Sequence, residues 1–202
     1  MKHNGFEYVD LGLPSGTKWA KYNVGAYSET DNGLYFPCGG IVGLDSPYYE
    51  GKFDFNKIKY NGGKKATLHL DNDAAHIHMG GKWHMPTRKQ FEELLDEKNT
   101  VSTWSHDYCN SGVSGRLFRS RINNETLFIP ANGFIDCHAS YQKGTPYRKG
   151  TTCSLWTSSI DFSSAYICTD FICDRYNTYL PTTSAYHICM GIRGVFNTFW
   201  IN

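Results

Sequence analysis

An α+β fold is predicted for this chain: short antiparallel strands joined by long, turn-rich loops, two helices, and the first and last strands paired. Three observations predict it. Aromatic residues make up 15% of the 202 residues and glycine occurs 20 times, a composition of strands interrupted by turns. A strong helical period occurs in one place only. Short apolar runs bounded by turn residues recur through the second half of the chain, as expected of strands in a mostly β frame.

The elements follow in order. Phe6 to Ala20 alternates, turns at Leu13-Pro14-Ser15-Gly16 and alternates again, which predicts a hairpin. From Tyr27 to Lys65, glycine, proline and tyrosine dominate without period, and Tyr60-Asn61-Gly62-Gly63 is a turn signal, so this stretch is predicted as loop. Asp71 to Met79 opens with residues able to cap exposed N–H groups and ends at Gly80-Gly81, where a left-handed C-cap meets no Cβ, which predicts a short first helix. Pro86 to Lys98 predicts the second. Thr87 and Gln90 have capping-box spacing, and Phe91, Leu94 and Leu95 share one face. Strands are predicted at Thr126–Pro130, Ser154–Ser159 and Ala165–Thr169. A last strand at His187–Phe196 is expected to lie against the opening hairpin.

No Pro/Ser-rich spacer, charge block or low-complexity run marks an internal boundary, so residues 1–202 read as one domain, with 197–202 as a contact tail. The net charge is +1 and the basic residues are scattered, which excludes the footprint of a nucleic-acid or anionic-membrane binder. No apolar run approaches the roughly 18 residues that cross a bilayer. Seven cysteines, at 38, 109, 137, 153, 168, 173 and 189, include no C-x-x-C pair, and most are expected as small buried hydrophobes.

Four segments together resemble a known family. They are Tyr8 to Trp19 (YVDLGLPSGTKW), Gly80 to Thr87 (GGKWHMPT), Leu155 to Ser159 (LWTSS) and Gly191 to Val195 (GIRGV). The set is similar to the paralogous-domain family abundant in Bacteroides and Fibrobacter, a branch of the C-type lectin superfamily, and it spans nearly the whole chain. His84 stands for that family's usual Arg, Leu155-Trp156-Thr157 for Tyr-Trp-Ser, and Gly194 for a Pro. The resemblance implies a C-type-lectin-like fold. The superfamily also includes retroelement-diversified ligand-binding proteins of phages and gut bacteria, which implies a non-catalytic recognition module of a phage virion or bacterial surface assembly.

On that reading the ligand is a glycan or a surface protein, bound by the C-terminal third. Ser158 to His187 is crowded with tyrosine and small polar residues, among them Asp161, Ser163 and Ser164, a mixture that gives contact area at low side-chain entropy and adaptable hydrogen bonds. Tyr166, Tyr176, Tyr179 and Tyr186 are the expected aromatic anchors, with Asp170, Asp174 and Asn177 making directional hydrogen bonds. The expected location is a virion or the cell surface, with no cofactor and no metal. The Glu-Pro-Asn and Trp-Asn-Asp motifs that hold calcium in sugar-binding members are missing, since Trp156 is followed by Thr157 and Ser158.

Two other readings stand beside this one. A structural, oligomer-forming component would use the apolar tail Phe199-Trp200-Ile201 as a partner surface. A copper oxidase similar to the formylglycine-generating enzymes would use the C-x4-C pair Cys168 and Cys173, although residues five apart on a strand point to opposite faces. His76, His78 and His84 suggest zinc, but positions i and i+2 of a helix share no face and no carboxylate completes the set, so no metal is expected there.

Overall fold

The computed structural model describes residues 1–44, 58–63, 66–136, 146–162, 167–184 and 188–197. Strand outweighs helix, 44% against 12%, and with two α-helices the architecture is α+β. In chain order the strands and helices are β1 (Lys2–His3), β2 (Phe6–Val9), β3 (Thr17–Asn23), β4 (Phe36–Pro37), β5 (Tyr60–Asn61), β6 (Thr67–Leu68), α1 (Ala74–Met79) and α2 (Arg88–Leu95). Then follow β7 (Thr100–Ser105), β8 (Gly115–Ser120), β9 (Thr126–Pro130), β10 (Ile135–Asp136), β11 (Thr152–Asp161), β12 (Ile167–Asp174), β13 (Thr178–Tyr179), β14 (Thr182–Ser184), β15 (Ile188–Met190) and β16 (Arg193–Asn197).

The opening hairpin forms as β2 and β3, and β16 adds to β3 with Val195 opposite Trp19, so the expected pairing of first and last strands is present. Their connection is not a plain solvated turn: Leu11 and Leu13 are buried, and the Gly16 N–H closes the bend on the Leu13 carbonyl at 2.8 Å. A larger sheet runs β13-β12-β11-β6-β5, with β14 also on β12, and a three-stranded sheet runs β7-β8-β9. A small sheet, β10-β15-β4, holds the first part of the predicted His187–Phe196 strand, which is in fact two strands separated at Gly191-Ile192. The hairpin β7–β8 was not among the predicted strands.

Both helices form where capping chemistry places them. α1 begins at Ala74 rather than Asp71, because residues 70–72 make a 3-10 turn and Asp73 is the N-cap. The Asp73 carboxylate accepts from His76 N at 2.9 Å and from Met85 N at 2.8 Å, tying α1 to the segment that leads into α2. Burial raises the Asp73 pKa above the ordinary carboxylate value, with these hydrogen bonds acting against it. α2 is shorter than the predicted span, Arg88–Leu95, but Thr87 and Gln90 form the expected capping box. The Pro86 carbonyl accepts from Ser158 N at 2.8 Å, and Ser159 Oγ accepts from Arg88 N at 3.0 Å, so β11 fixes where α2 starts.

Two apolar cores flank β11 and β12. One gathers Trp83, Trp156, Met79 and Phe196, and the Trp156 indole donates to the Phe36 carbonyl at 2.8 Å. The other gathers Trp19, Phe91, Phe118 and Phe171, where Phe91 of α2 stacks on Phe171 of β12 at 4.6 Å. Gly194 lies beneath α1, and a Cβ there would meet Met79 Sδ at 2.7 Å, which accounts for a residue without a side chain at that point of the last motif.

Cys38 and Cys168 are disulfide-bonded, joining the strand β4 region to β12. Cys153, Cys173 and Cys189 are buried as expected, while Cys109 is exposed. Cys168 and Cys173 are not brought together: the first packs in the Trp156 core and the second in the Phe171 core, on opposite faces of β12. The tail from Thr198 onward lies outside the described residues.

Candidate ligand-binding site

A cleft of about 500 Å³ opens where the ends of β7, β11 and β12 meet the loop before β11. Trp104 and His106 come from the end of β7, Arg148 and Thr151 from the loop, and Arg175 and Tyr176 from the turn between β12 and β13. Each arrives by a definite local device. In the loop, the Gly133 N–H donates to the Thr152 carbonyl and the Gly150 N–H to the Ala131 carbonyl, at 2.8 and 2.7 Å. Gly133 has φ +63°, and a Cβ there would sit 2.2 Å from the Tyr147 carbonyl oxygen. Only glycine lets residues 147–149 come so close, and that approach sets Arg148 at the rim.

The β12–β13 turn is organised by Asp174. Its Oδ1 accepts from Tyr176 N at 2.7 Å and Asn177 N at 2.8 Å, and its Oδ2 accepts from the Tyr179 hydroxyl at 3.3 Å. Desolvation pushes this carboxyl up, but the Asn177 and Tyr176 amides, the Tyr179 hydroxyl and the Arg116 charge outweigh it and hold it below the ordinary carboxylate range. With its carboxylate occupied in this way, Asp174 orders the hairpin. Tyr176 stands out at 79% exposure, with the Arg175 guanidinium 5.4 Å from its ring centre.

Cationic character dominates the cleft. Arg148 lies over Tyr147 at 5.6 Å, and among the described residues neither Arg148 nor Arg175 has an acidic partner. Beneath them Arg116 passes 5.8 Å from the Trp104 ring centre and donates to the Asp174 carbonyl at 2.6 Å. Aromatic faces beside unpaired guanidiniums suit a ligand that offers both flat apolar surface and acceptor oxygens.

Of the residues expected from the sequence, Asp174, Tyr176, Asn177 and Tyr179 come together on this hairpin. Asp170 does not join them: it is 0% exposed. β12 is an interior strand between β11 and β13/β14, with a core on each face, so a polar residue midway along it is drawn inside. Tyr166 and Tyr186 lie outside the described residues, as do Ser163 and Ser164. Trp104, His106, Arg148, Thr151 and Arg175 were not expected. Arg175 could have been found from its place between Asp174 and Tyr176, whereas the others come from segments up to 70 residues away and have no local signal.

His76, His78 and His84 do not converge. Their ring nitrogens meet the carbonyls of Trp83, Ile41 and Met85 at 3.1, 2.9 and 3.0 Å. Among the described residues no three His, Cys, Asp or Glu side chains are placed to hold a metal ion, and no helix is long and apolar enough to cross a membrane. Compared with known families, characterised proteins and solved structures, the chain matches none.

Proposed function

We propose that the chain is a single C-type-lectin-like recognition domain that binds a glycan or protein surface without chemistry, as part of a phage virion or bacterial surface assembly. The observation that carries this reading is the cleft itself: two guanidiniums without acidic partners among the described residues and an exposed tyrosine held on a hydrogen-bonded turn. Rigid aromatic anchors on an ordered scaffold lose little entropy on binding, and small polar neighbours adapt to the partner. The fold-level part rests on the four sequence motifs and on the pairing of β3 with β16, which are consistent with that superfamily.

The test is a combined glycan and surface-protein array probed with the wild-type chain and with an Arg175→Ala, Tyr176→Ala variant. Binding by the wild type that disappears in a variant with unchanged melting temperature is expected. A folded double variant that binds as well as the parent, or arrays without any wild-type ligand, would reject the assignment.

A further inference from the structure

Cys153 and Cys173 face one another as register partners on β11 and β12, both fully buried and both in the Phe171 core. The neighbouring backbone groups show what kind of pair this is. The Thr152 carbonyl accepts from Gly133, Ser154 N donates to Asn132, and Asp174 N donates to Asn177, all away from the β11–β12 seam. The two cysteines therefore turn their own N–H and C=O toward each other. Such pairs have Cα atoms about 5.5 Å apart, inside the range of roughly 4.4–6.8 Å that a disulfide spans.

The two sulfurs are not equivalent. Cys173 Sγ accepts from Arg116 Nε at 3.0 Å and from Thr178 Oγ1 at 3.5 Å, whereas Cys153 Sγ donates to the Ile129 carbonyl at 3.3 Å. Arg116 is 8% exposed and has no carboxylate at ion-pair distance among the described residues, so the Cys173 sulfur is the acidic side-chain group it meets. The neighbouring Cys153 thiol, and then Arg116 and Thr178, outweigh burial and bring Cys173 down to about 6, while burial drives Cys153 well above an ordinary thiol. Neither sulfur lines the cleft, but Trp104 does, and the Arg116 that bonds Cys173 lies against its ring, so exchange requires Trp104 and Arg116 to swing aside.

We propose that Cys153 and Cys173 form a second, reversible disulfide by exchange with a small-molecule disulfide of the glutathione class, with Cys173 as the attacking sulfur and Arg116 holding its charge. The Cys173 thiolate attacks one sulfur of the reagent and expels a thiolate, leaving a mixed disulfide on Cys173. Cys153 then gives up its proton and displaces the second thiolate, closing the Cys153–Cys173 bond. Two protein thiols are oxidised and one reagent disulfide is reduced to two thiols. The Cys38–Cys168 bond takes no part.

The experiment incubates the full chain with oxidised glutathione, blocks remaining thiols in denaturant, and maps chymotryptic peptides by mass spectrometry. The two thiols are expected to disappear together, as a cross-link that reduced glutathione reopens while Cys38–Cys168 stays closed. Cys153→Ser is expected to keep one glutathione on Cys173, Cys173→Ser to gain none at Cys153, and Arg116→Gln to slow the first step about fivefold, because the thiolate fraction falls more than nucleophilicity rises. Thiols that remain blockable in the wild type, a cross-link that reduced glutathione cannot reopen, or an adduct on Cys153 in the Cys173→Ser chain would each overturn the proposal. The wild-type cross-link is decisive even if a variant fails to fold.

Discussion

Arginine is used in two opposite ways in two regions of this molecule. Where the terminal strands meet, Arg193 is fully buried, and its guanidinium donates to Asn23 Oδ1 at 2.9 Å and to the carbonyls of Ala20, Lys21 and Phe128 at 3.1, 2.6 and 3.0 Å. Burial pulls its pKa down to about 10, and the neutral acceptors around it bind two strands, β3 and β9, to one planar group. At the cleft, Arg148 and Arg175 rest on tyrosine rings with no acidic partner among the described residues. A satisfied guanidinium holds the frame together, whereas one left in solvent on an aromatic face stays available to a ligand.

That contrast is sharpest at Arg193. Replacing it by Met leaves one side chain and three carbonyls without their donor, and a loss of about 3–5 kcal/mol is expected by chemical denaturation. A loss below about 1 kcal/mol would show that the frame does not depend on it. Gly133→Ala comes next. It meets the Tyr147 carbonyl and a positive φ at once, so a cost of about 2–3 kcal/mol is expected, accompanied by weaker ligand binding as Arg148 is displaced.

Asp174→Ala removes the acceptor for two amides and one hydroxyl on an exposed turn, and should cost under about 1 kcal/mol globally. Its titration carries a sign. Because the folded carboxyl lies below its ordinary 3.8, the turn is fully held above that value and loosens as pH falls through the lower folded one. The amide signals of Tyr176 and Asn177 should therefore titrate below 3.8, and a midpoint above it would contradict the assignment. The smallest effect on stability belongs to the Arg148→Ala, Arg175→Ala pair, within about 0.5 kcal/mol, and in that variant ligand binding is lost. Retained binding would erase the proposed difference between the two regions.

What the sequence makes legible follows from the range of the forces involved. The Thr87–Gln90 capping box and the Asp73 cap are local, and the expected helices stand on them. β7 and β8 were missed because Ser102, Trp104, Arg116 and Arg119 blur the alternation, and their pairing depends on a partner strand that no local pattern names. The turn from Asp174 to Tyr179 is legible from its side-chain types. Asp170 has the same polar character but not the same fate, because being interior is a property of the sheet and not of the residue. Arg148 and Trp104 reach the cleft through the close approach at Gly133 and the β7–β8 pairing, neither of which leaves a periodic trace.

The pairing of β3 with β16 bears on how the chain acquires its fold. During synthesis the opening hairpin must wait for a strand some 170 residues later, since Arg193 reaches back to Asn23 across a separation of 170. Until those last residues leave the ribosome, the edge of β3 is uncovered and the carbonyls of Ala20 and Lys21 lack their donor. Long-range closure of this kind slows folding and exposes an unpaired edge. Nascent chains stopped short of Arg193 should for that reason be prone to aggregation and dependent on chaperones.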